Sequence, residues 1–397
     1  MFKKAVYKKY IIYGSSIVFS RGLEFIVLFF SAHYLTKSDY GELEYYKKLI
    51  EVGSSFFAFG FPALIISYTK SDASKKHFLL LSVLFVLFIS LVSSIFMGLA
   101  SLGFLIIPFV FYALFFNGGI VPAFLLVYKG SNQASYYKSI ISVLFYAIIL
   151  IALYYFDVKG QAYIVVNYII LPLAALYLTF LFIKEDIVMH EVKKYWGLFK
   201  KLLLSSFTLV ISNFANLMFL YTDIFILKLL SDQSNIDIAN YSFALNVANI
   251  LMLIPLTMVQ ADIEKLKKDK TYFASINRKI KFLVAGAALL LIVFYYVLTN
   301  AIFIDYKETY VIFAIILFAK MFHAVATLYG TNLLIYRKFR DNLKINLFML
   351  LLNIVLSYFL YIEFDIVGVA MGSLLSLAIR YLLLVRVNKS LTIATSK

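Results

Sequence analysis

Arg21 and Glu24 stand three residues apart within a long apolar stretch. On a helix that spacing puts both on one face, where they can pair. Arg21 falls ten residues into the apolar run, roughly 15 Å along a helix axis. Two chemistries fit such a pair. It is either a buried structural ion pair, or an anion-binding guanidinium held in place by its carboxylate neighbour. Lys320 and His323 repeat the i, i+3 spacing in another apolar run. There the expected chemistry is a cation lining a cavity, with His323 as either a proton relay or a hydrogen-bonded core residue. Lys47 and Lys48 pair by spacing with Glu51 and Glu44. They are expected either to line a cavity or to snorkel to an outer interface. Asp223 is a candidate proton or cation site, with pairing to Lys228 as the alternative. Arg380 is expected to reach the inner interface along its own helix.

None of the chemistries open to these residues needs a covalent step. Cysteine is absent, which removes disulfides, thiolate metal sites and cysteine nucleophiles. The four His residues include no i, i+4 pair, so there is no zincin helix. No nucleophile–base pair or acidic metal cluster stands out, and no metal or cofactor is expected. Asp262, Glu264 and Asp269 lie among lysines and read as a solvated helix. The cations Arg21, Lys47, Lys48 and Lys320 outnumber Glu24, Glu51 and Asp223. A basic lumen inside lipid points to an anionic substrate group, and phosphate is the usual partner of Arg and Lys.

The elements that must position these residues are membrane helices. Of the 397 residues 63% are hydrophobic and only 15% charged, and the mean hydropathy is +0.90. No soluble domain hides that much apolar surface. Stretches of about 20 apolar residues predict twelve spans, at 11–35, 44–68, 78–99, 103–128, 137–156, 161–183, 202–229, 238–260, 282–303, 309–336, 343–362 and 366–387. The first outlasts a signal-peptide core and is read as a retained span. With both termini on the inner side, most of the 37 Lys and Arg residues fall on inner segments, while the outer loops hold only Lys37, Lys159 and Lys307. That is the positive-inside pattern. It explains the net charge of +16 without nucleic acid, and no aromatic platform for bases accompanies the basic loops. The basic connections at 184–201 and 261–281 are expected to lie on the inner leaflet as amphipathic segments.

The expected organisation is an N-terminal six-helix lobe at 1–184, a cytoplasmic linker at 185–201 and a C-terminal six-helix lobe at 202–397. Six spans per lobe make the repeats parallel. Weak self-similarity at an offset of about 192 aligns Ser20-Arg21 with Ser212-Asn213 and Pro62 near Pro255. All five prolines lie inside predicted spans. The matched pair Pro62 and Pro255 are hinge candidates, with static kinks as the alternative. Asn213, Asn216, Asn246 and Asn249 offer amides for bonds between helices or to sugar hydroxyls.

Three stretches carry a family resemblance. They are Ser20-Arg21-Gly22 with Tyr34-Leu35 and Ser38-Asp39-Tyr40-Gly41-Glu42, then Thr222–Leu227 with Ile238–Ala244, and Gly368–Ser373 leading to Arg380-Tyr381. Together they resemble the bacterial polysaccharide-repeat (Wzx-type O-antigen) flippases of the multidrug/oligosaccharidyl-lipid/polysaccharide exporter superfamily. The resemblance implies an all-α integral membrane protein of the bacterial inner membrane, with two six-helix lobes around a central cavity. It implies alternating access and an undecaprenyl-pyrophosphate-linked oligosaccharide as substrate, for O-antigen lipopolysaccharide, capsule or another surface polymer. Polymerase and chain-length proteins are implied as partners, and H+ or Na+ as the coupling ion. Arg21 matches a first-helix Arg that binds pyrophosphate in the related lipid II flippases. Lys47, Lys48 and Lys320 would stand in for further Arg residues there. Two rival readings stay open: a drug or small-molecule antiporter of the same superfamily, for which a basic cavity is the wrong sign, and a membrane enzyme, either a polymerase, against which the short outer loops argue, or a glycosyltransferase with an inner-face site, for which the inner loops show no acidic metal-binding cluster.

Overall fold

An apolar stretch in lipid can satisfy its backbone only by hydrogen bonding within itself, and the helix does so without a partner. The computed structural model of the chain describes residues 2–68, 71–116, 118–187, 192–261, 266, 270–336 and 338–394, and among them no strand forms. The elements are α1 (Phe2–Tyr34), α2 (Lys37–Phe57), α3 (Phe61–Tyr68), α4 (Asp72–Leu99), α5 (Ile106–Leu114), α6 (Ile120–Tyr128), α7 (Ser131–Tyr155) and α8 (Ala162–Lys184). They continue as α9 (Val192–Leu230), α10 (Ser234–Asn249), α11 (Leu253–Ala261), α12 (Lys270–Ala301), α13 (Tyr310–Ile335) and α14 (Phe339–Ala394). Eight stretches among the described residues are long and apolar enough to cross a membrane. The chain is a multi-pass membrane protein.

The chain divides into two units. The first comprises Met1–Leu35 and Tyr46–Phe214, the second Thr36–Tyr45 and Ala215–Lys397. In the first unit α1 packs along α7, and the Ser20 and Ser142 hydroxyls bond across them at 2.8 Å. Its core is aromatic: Phe116 and Phe145 lie with ring centres 4.5 Å apart, and Phe61 stacks on Phe199 at 5.5 Å. In the second unit Tyr295 stacks on Phe313 at 3.7 Å and Phe243 on Tyr306 at 4.2 Å. The outward faces are apolar too. On α4, Leu91, Ile95, Phe96 and Leu99 are exposed, as are Leu289, Leu290 and Val293 on α12. This pattern suits lipid and not water.

Three predicted spans, 44–68, 238–260 and 103–128, are broken, the last between α5 and α6. The first is α2 followed by α3, with Phe59 and Gly60 at φ 45° and 69° between them. The second is α10 and α11 joined by a 3-10 turn at Ile250–Met252. Pro62 and Pro255 sit in the first turn of the restarted helix in these two cases. Pro108 and Pro122 likewise sit in the first turns of α5 and α6, and only Pro172 lies inside a helix. All five prolines thus fall within the predicted span bounds, but four of them stand at helix starts and not in helix interiors. First-turn N–H groups have no helical acceptor, so proline there forfeits nothing.

α14 is one element by hydrogen bonding but two helices in space. Phe364 and Asp365 leave helical geometry, Asp365 at φ 50°. The arms 339–363 and 366–394 fold back on each other, since a Cβ at Gly372 would lie 2.7 Å from Ser357 Oγ and one at Gly368 would strike the Leu360 carbonyl. These glycines, four apart, allow close helix contact.

The expected inner-leaflet segments are only partly described. Residues 188–191, 262–265 and 267–269, with Asp262, Glu264 and Asp269, lie outside the described residues. α9 begins at Val192 and runs on as one helix, and Trp196 within it is exposed and stacks on Phe199 at 5.8 Å.

Candidate functional site

The first unit gathers its charges around Glu24. Arg21 Nη1 donates to Glu24 Oε2 at 2.6 Å, and Lys47 Nζ pairs with Glu24 Oε1 at 2.8 Å. α1 supplies Arg21 and Glu24 one turn apart, and α2 brings Lys47 to the other carboxylate oxygen. Lys47 is 2% exposed and also lies over the Tyr163 ring at 5.8 Å. Lys48, also buried, is within electrostatic reach of Glu24, and Glu51 within reach of Arg21. The snorkelling expectation for Lys47 and Lys48 does not hold, because both side chains turn into the unit. The Arg21 side chain, by contrast, is 50% exposed. One of its edges is tied to Glu24, and the remaining N–H groups are available to a ligand. Lys138 on α7, at the edge of the predicted span 137–156, stands within electrostatic reach of Arg21. A lone Lys at a span edge gave no sign of this.

The second unit builds a different site around Asp223 on α9. Its carboxylate accepts hydrogen bonds from the Tyr241 hydroxyl, from Ser373 Oγ, from Asn353 Nδ2 at 3.3 Å and from Ser357 Oγ at 3.4 Å. Asn353 Nδ2 also reaches the Phe219 carbonyl at 3.3 Å. The glycine-packed hairpin of α14 brings three of these donors together. Asp223 is 3% exposed and borders a cavity of about 10 Å³ that Tyr241, Lys320 and Ser373 also line. That is about the least space a water-sized occupant needs. Lys320 is the cation within reach of Asp223. His323, one turn on, has a buried Nδ1 without a hydrogen-bond partner.

Lys320 thus belongs to the unit of Asp223, and Arg21, Lys47 and Lys48 to the other. Sequence reasoning missed Tyr241, Asn353, Ser357 and Ser373. Hydroxyls and amides at long separation carry no motif, although Ser373 ends the glycine stretch that drew attention for its resemblance. It also misread Arg380. This residue does not reach an interface but is 9% exposed, donating Nη2 to Asn216 Oδ1 at 2.7 Å and Asn346 Oδ1 at 3.2 Å. Of the four amides expected to bridge helices, Asn216 does so here and Asn246 donates to the Tyr40 hydroxyl at 3.3 Å.

Outside the spans, Glu185 follows α8 and gathers Lys129 and the Tyr128 hydroxyl, the latter at 2.7 Å, while Lys76 donates to its backbone carbonyl. The Lys129 ammonium holds its carboxyl below the usual range, against the opposing effect of burial. Among the described residues no three or more His, Asp or Glu side chains come together as a metal site.

The fold is shared with known transporters. A lipid II flippase, MurJ, in an inward closed conformation superposes with a TM-score of 0.66 at 14% identity, over 96% of this chain and 87% of that one. An inward-facing multidrug resistance MATE family transporter of the MOP superfamily gives 0.64 at 10% identity, over 91% and 92%. A MOP superfamily transporter from Pyrococcus furiosus, whose binding pocket is described as of reverse polarity, gives 0.56 at 11%, over 98% and 96%. No curated protein sequence matches the chain. The family model described as "Polysaccharide biosynthesis protein" matches residues 6–263, most of the chain. With that match on an all-helical MurJ- and MATE-like fold, the chain belongs to the polysaccharide biosynthesis protein family.

Proposed function

We propose that this protein is a flippase that carries undecaprenyl-pyrophosphate-linked oligosaccharide repeat units from the inner to the outer leaflet of the bacterial cytoplasmic membrane. The observation that carries the reading is the cation surplus around Glu24. Arg21, Lys47 and Lys48 surround the buried Glu24 carboxylate, Lys138 and Glu51 stand within reach of Arg21, and the Arg21 guanidinium keeps open donors. Glu24 fixes the Arg21 fork, Lys47 neutralises Glu24, and the remaining positive charge is left for a pyrophosphate. Family membership and the fold of a lipid II flippase support the same substrate class.

Twelve spans in two six-helix lobes, with both termini cytoplasmic, provide alternating access in this reading. The broken helices at Pro62 and Pro255 serve as its hinges. Asp223, caged by neutral donors beside a water-sized cavity, is the group that takes H+ or Na+, with Lys320 as its resident counter-charge. Flipped units then pass to a polymerase and chain-length proteins.

The test is a strain lacking this chain, with leaflet-selective labelling of undecaprenyl-linked sugars. Single repeat units confined to the inner leaflet, with no surface polymer, are expected. Single units already on the outer leaflet would assign the protein to polymerisation, and truncated units to a transferase. A normal polysaccharide profile would turn the reading towards a drug antiporter.

A further inference from the structure

Arg380 is the second unit's unexplained charge. It lies on the second arm of α14 and is 9% exposed. Its Nη2 is used by Asn216 and Asn346, and Phe219 lies beneath the guanidinium with its ring centre 5.3 Å from Cζ. Nε and Nη1 are buried and have no acceptor. The ion pairs formed among the described residues include none for Arg380. His323 stands within electrostatic reach of both Lys320 and Arg380 and so brings no negative charge to the guanidinium. His323 Nδ1 is itself buried and unpaired. A guanidinium buried in a membrane span without a carboxylate is costly, and amide oxygens on one nitrogen do not offset that cost. Phe219 also borders the cavity at Asp223, so that cavity and the Arg380 cluster share a wall.

We propose that Arg380, with His323 beside it, is an oxyanion-binding site within the second unit, separate from the Arg21 cluster. Its ligand is a phosphate or carboxylate oxygen that accepts from the unused guanidinium nitrogens. Asn216 and Asn346 act as positioning residues: they hold Nη2 and leave Nε and Nη1 to the ligand. The proposal rests on the flippase reading only for the source of the oxyanion, which is either the pyrophosphate of the carrier lipid or the carboxylate of an acidic sugar.

The experiment uses the full chain in phosphatidylcholine nanodiscs carrying Arg21→Gln, so that the first unit's site is already weakened. Inorganic pyrophosphate, glucuronate and neutral glucose are titrated, and binding is read by calorimetry and by the melting midpoint. Saturable binding of pyrophosphate or glucuronate, but not glucose, is expected. Adding Arg380→Met should raise its Kd at least about tenfold, the loss expected for a hydrogen bond to a charged group. A response to pyrophosphate names the carrier headgroup as the source, and a response to glucuronate names the sugar. Without any probe, Arg380→Met should melt no lower than its parent, because an apolar chain replaces an unpaired buried cation. Equal binding with and without Arg380, or no oxyanion binding in the Arg21→Gln protein, overturns the proposal. So does a lowered midpoint in probe-free Arg380→Met, which would make Arg380 a structural crosslink. Arg380→Gln gives the same binding comparison if the methionine variant does not fold. None of these readouts is transport, so the proposal can fail while the flippase reading stands.

Discussion

The two units bury charge in opposite ways. Around Glu24 the charges satisfy one another: Arg21 takes one carboxylate oxygen and Lys47 the other. In the second unit the charges are wrapped in neutral groups. Asp223 accepts from hydroxyls and an amide, and Arg380 donates to two asparagines. An ion pair locks its partners together and leaves little to exchange. A charge caged by neutral dipoles keeps its sign, and the cage can admit an ion from outside. We propose a division of labour on this contrast: the first unit presents a fixed positive edge, while the second holds Asp223, with Lys320 as its resident counter-charge, and Arg380 in neutral cages that can exchange an ion.

The largest effect that would break this comparison is loss of transport at the fixed edge. Arg21→Ala is expected to abolish surface polysaccharide while membrane levels of the protein stay normal, as read by polysaccharide gels and immunoblots. Wild-type polymer in that strain removes Arg21 from substrate binding. Asp223→Asn tests the exchangeable side. It keeps the shape but offers an amide hydrogen to groups that themselves donate, so flipping should fall at least about tenfold, the cost of losing hydrogen bonds to a charged group. The dependence of flipping on an imposed H+ or Na+ gradient should disappear with it. Retained gradient dependence would move coupling elsewhere.

Stability sharpens the same contrast. Glu24→Gln leaves buried Lys47 without its carboxylate, and breaking such a pair costs about 3–5 kcal/mol, visible as a lower melting midpoint. Gly372→Ala places a Cβ against Ser357, 2.7 Å from Oγ and 2.9 Å from N. Overpacking of that kind costs about 1–3 kcal/mol and should loosen the Asp223 cage. Gly286→Ala, where nothing lies within 4 Å, serves as the control and should be neutral or gain up to about 1 kcal/mol. The smallest effect lies at Glu185. Its folded pKa is lowered, so its contribution is present above the unfolded value and is lost as pH falls through the folded one. Melting midpoints of the protein and of Glu185→Gln should therefore differ at neutral pH and converge in acid.

The sequence made the helices legible because apolar length is a local property. It made Arg21–Glu24 legible because both residues sit on one turn. It did not reveal that Lys47 turns inward, since depth along a helix does not say which face meets the core. Arg380 failed for the same reason: its distance from the helix end fits snorkelling, but Asn216, Asn346 and Phe219 surround it. The Asp223 cage was illegible for another reason. Asn353, Ser357 and Ser373 become one surface only when Gly368 and Gly372 let the two arms of α14 touch, and nothing local announces that contact. Pro62 and Pro255 were visible, but their position at helix starts depends on breaks that Phe59–Gly60 and Ile250–Met252 create.

The separation of Asp223 from its partners along the chain has a consequence for how the protein is made. Tyr241 follows Asp223 by 18 residues, but Asn353 follows by 130. At ribosomal speeds of about 5–20 residues per second, the carboxylate waits roughly 7–26 s for Asn353 and roughly 8–30 s for Ser373, 150 residues on, which completes its cage. During that interval a half-made protein holds a partly satisfied acid in the bilayer. Tyr241 is then its early chaperone, and the insertion machinery must shelter what one phenol cannot.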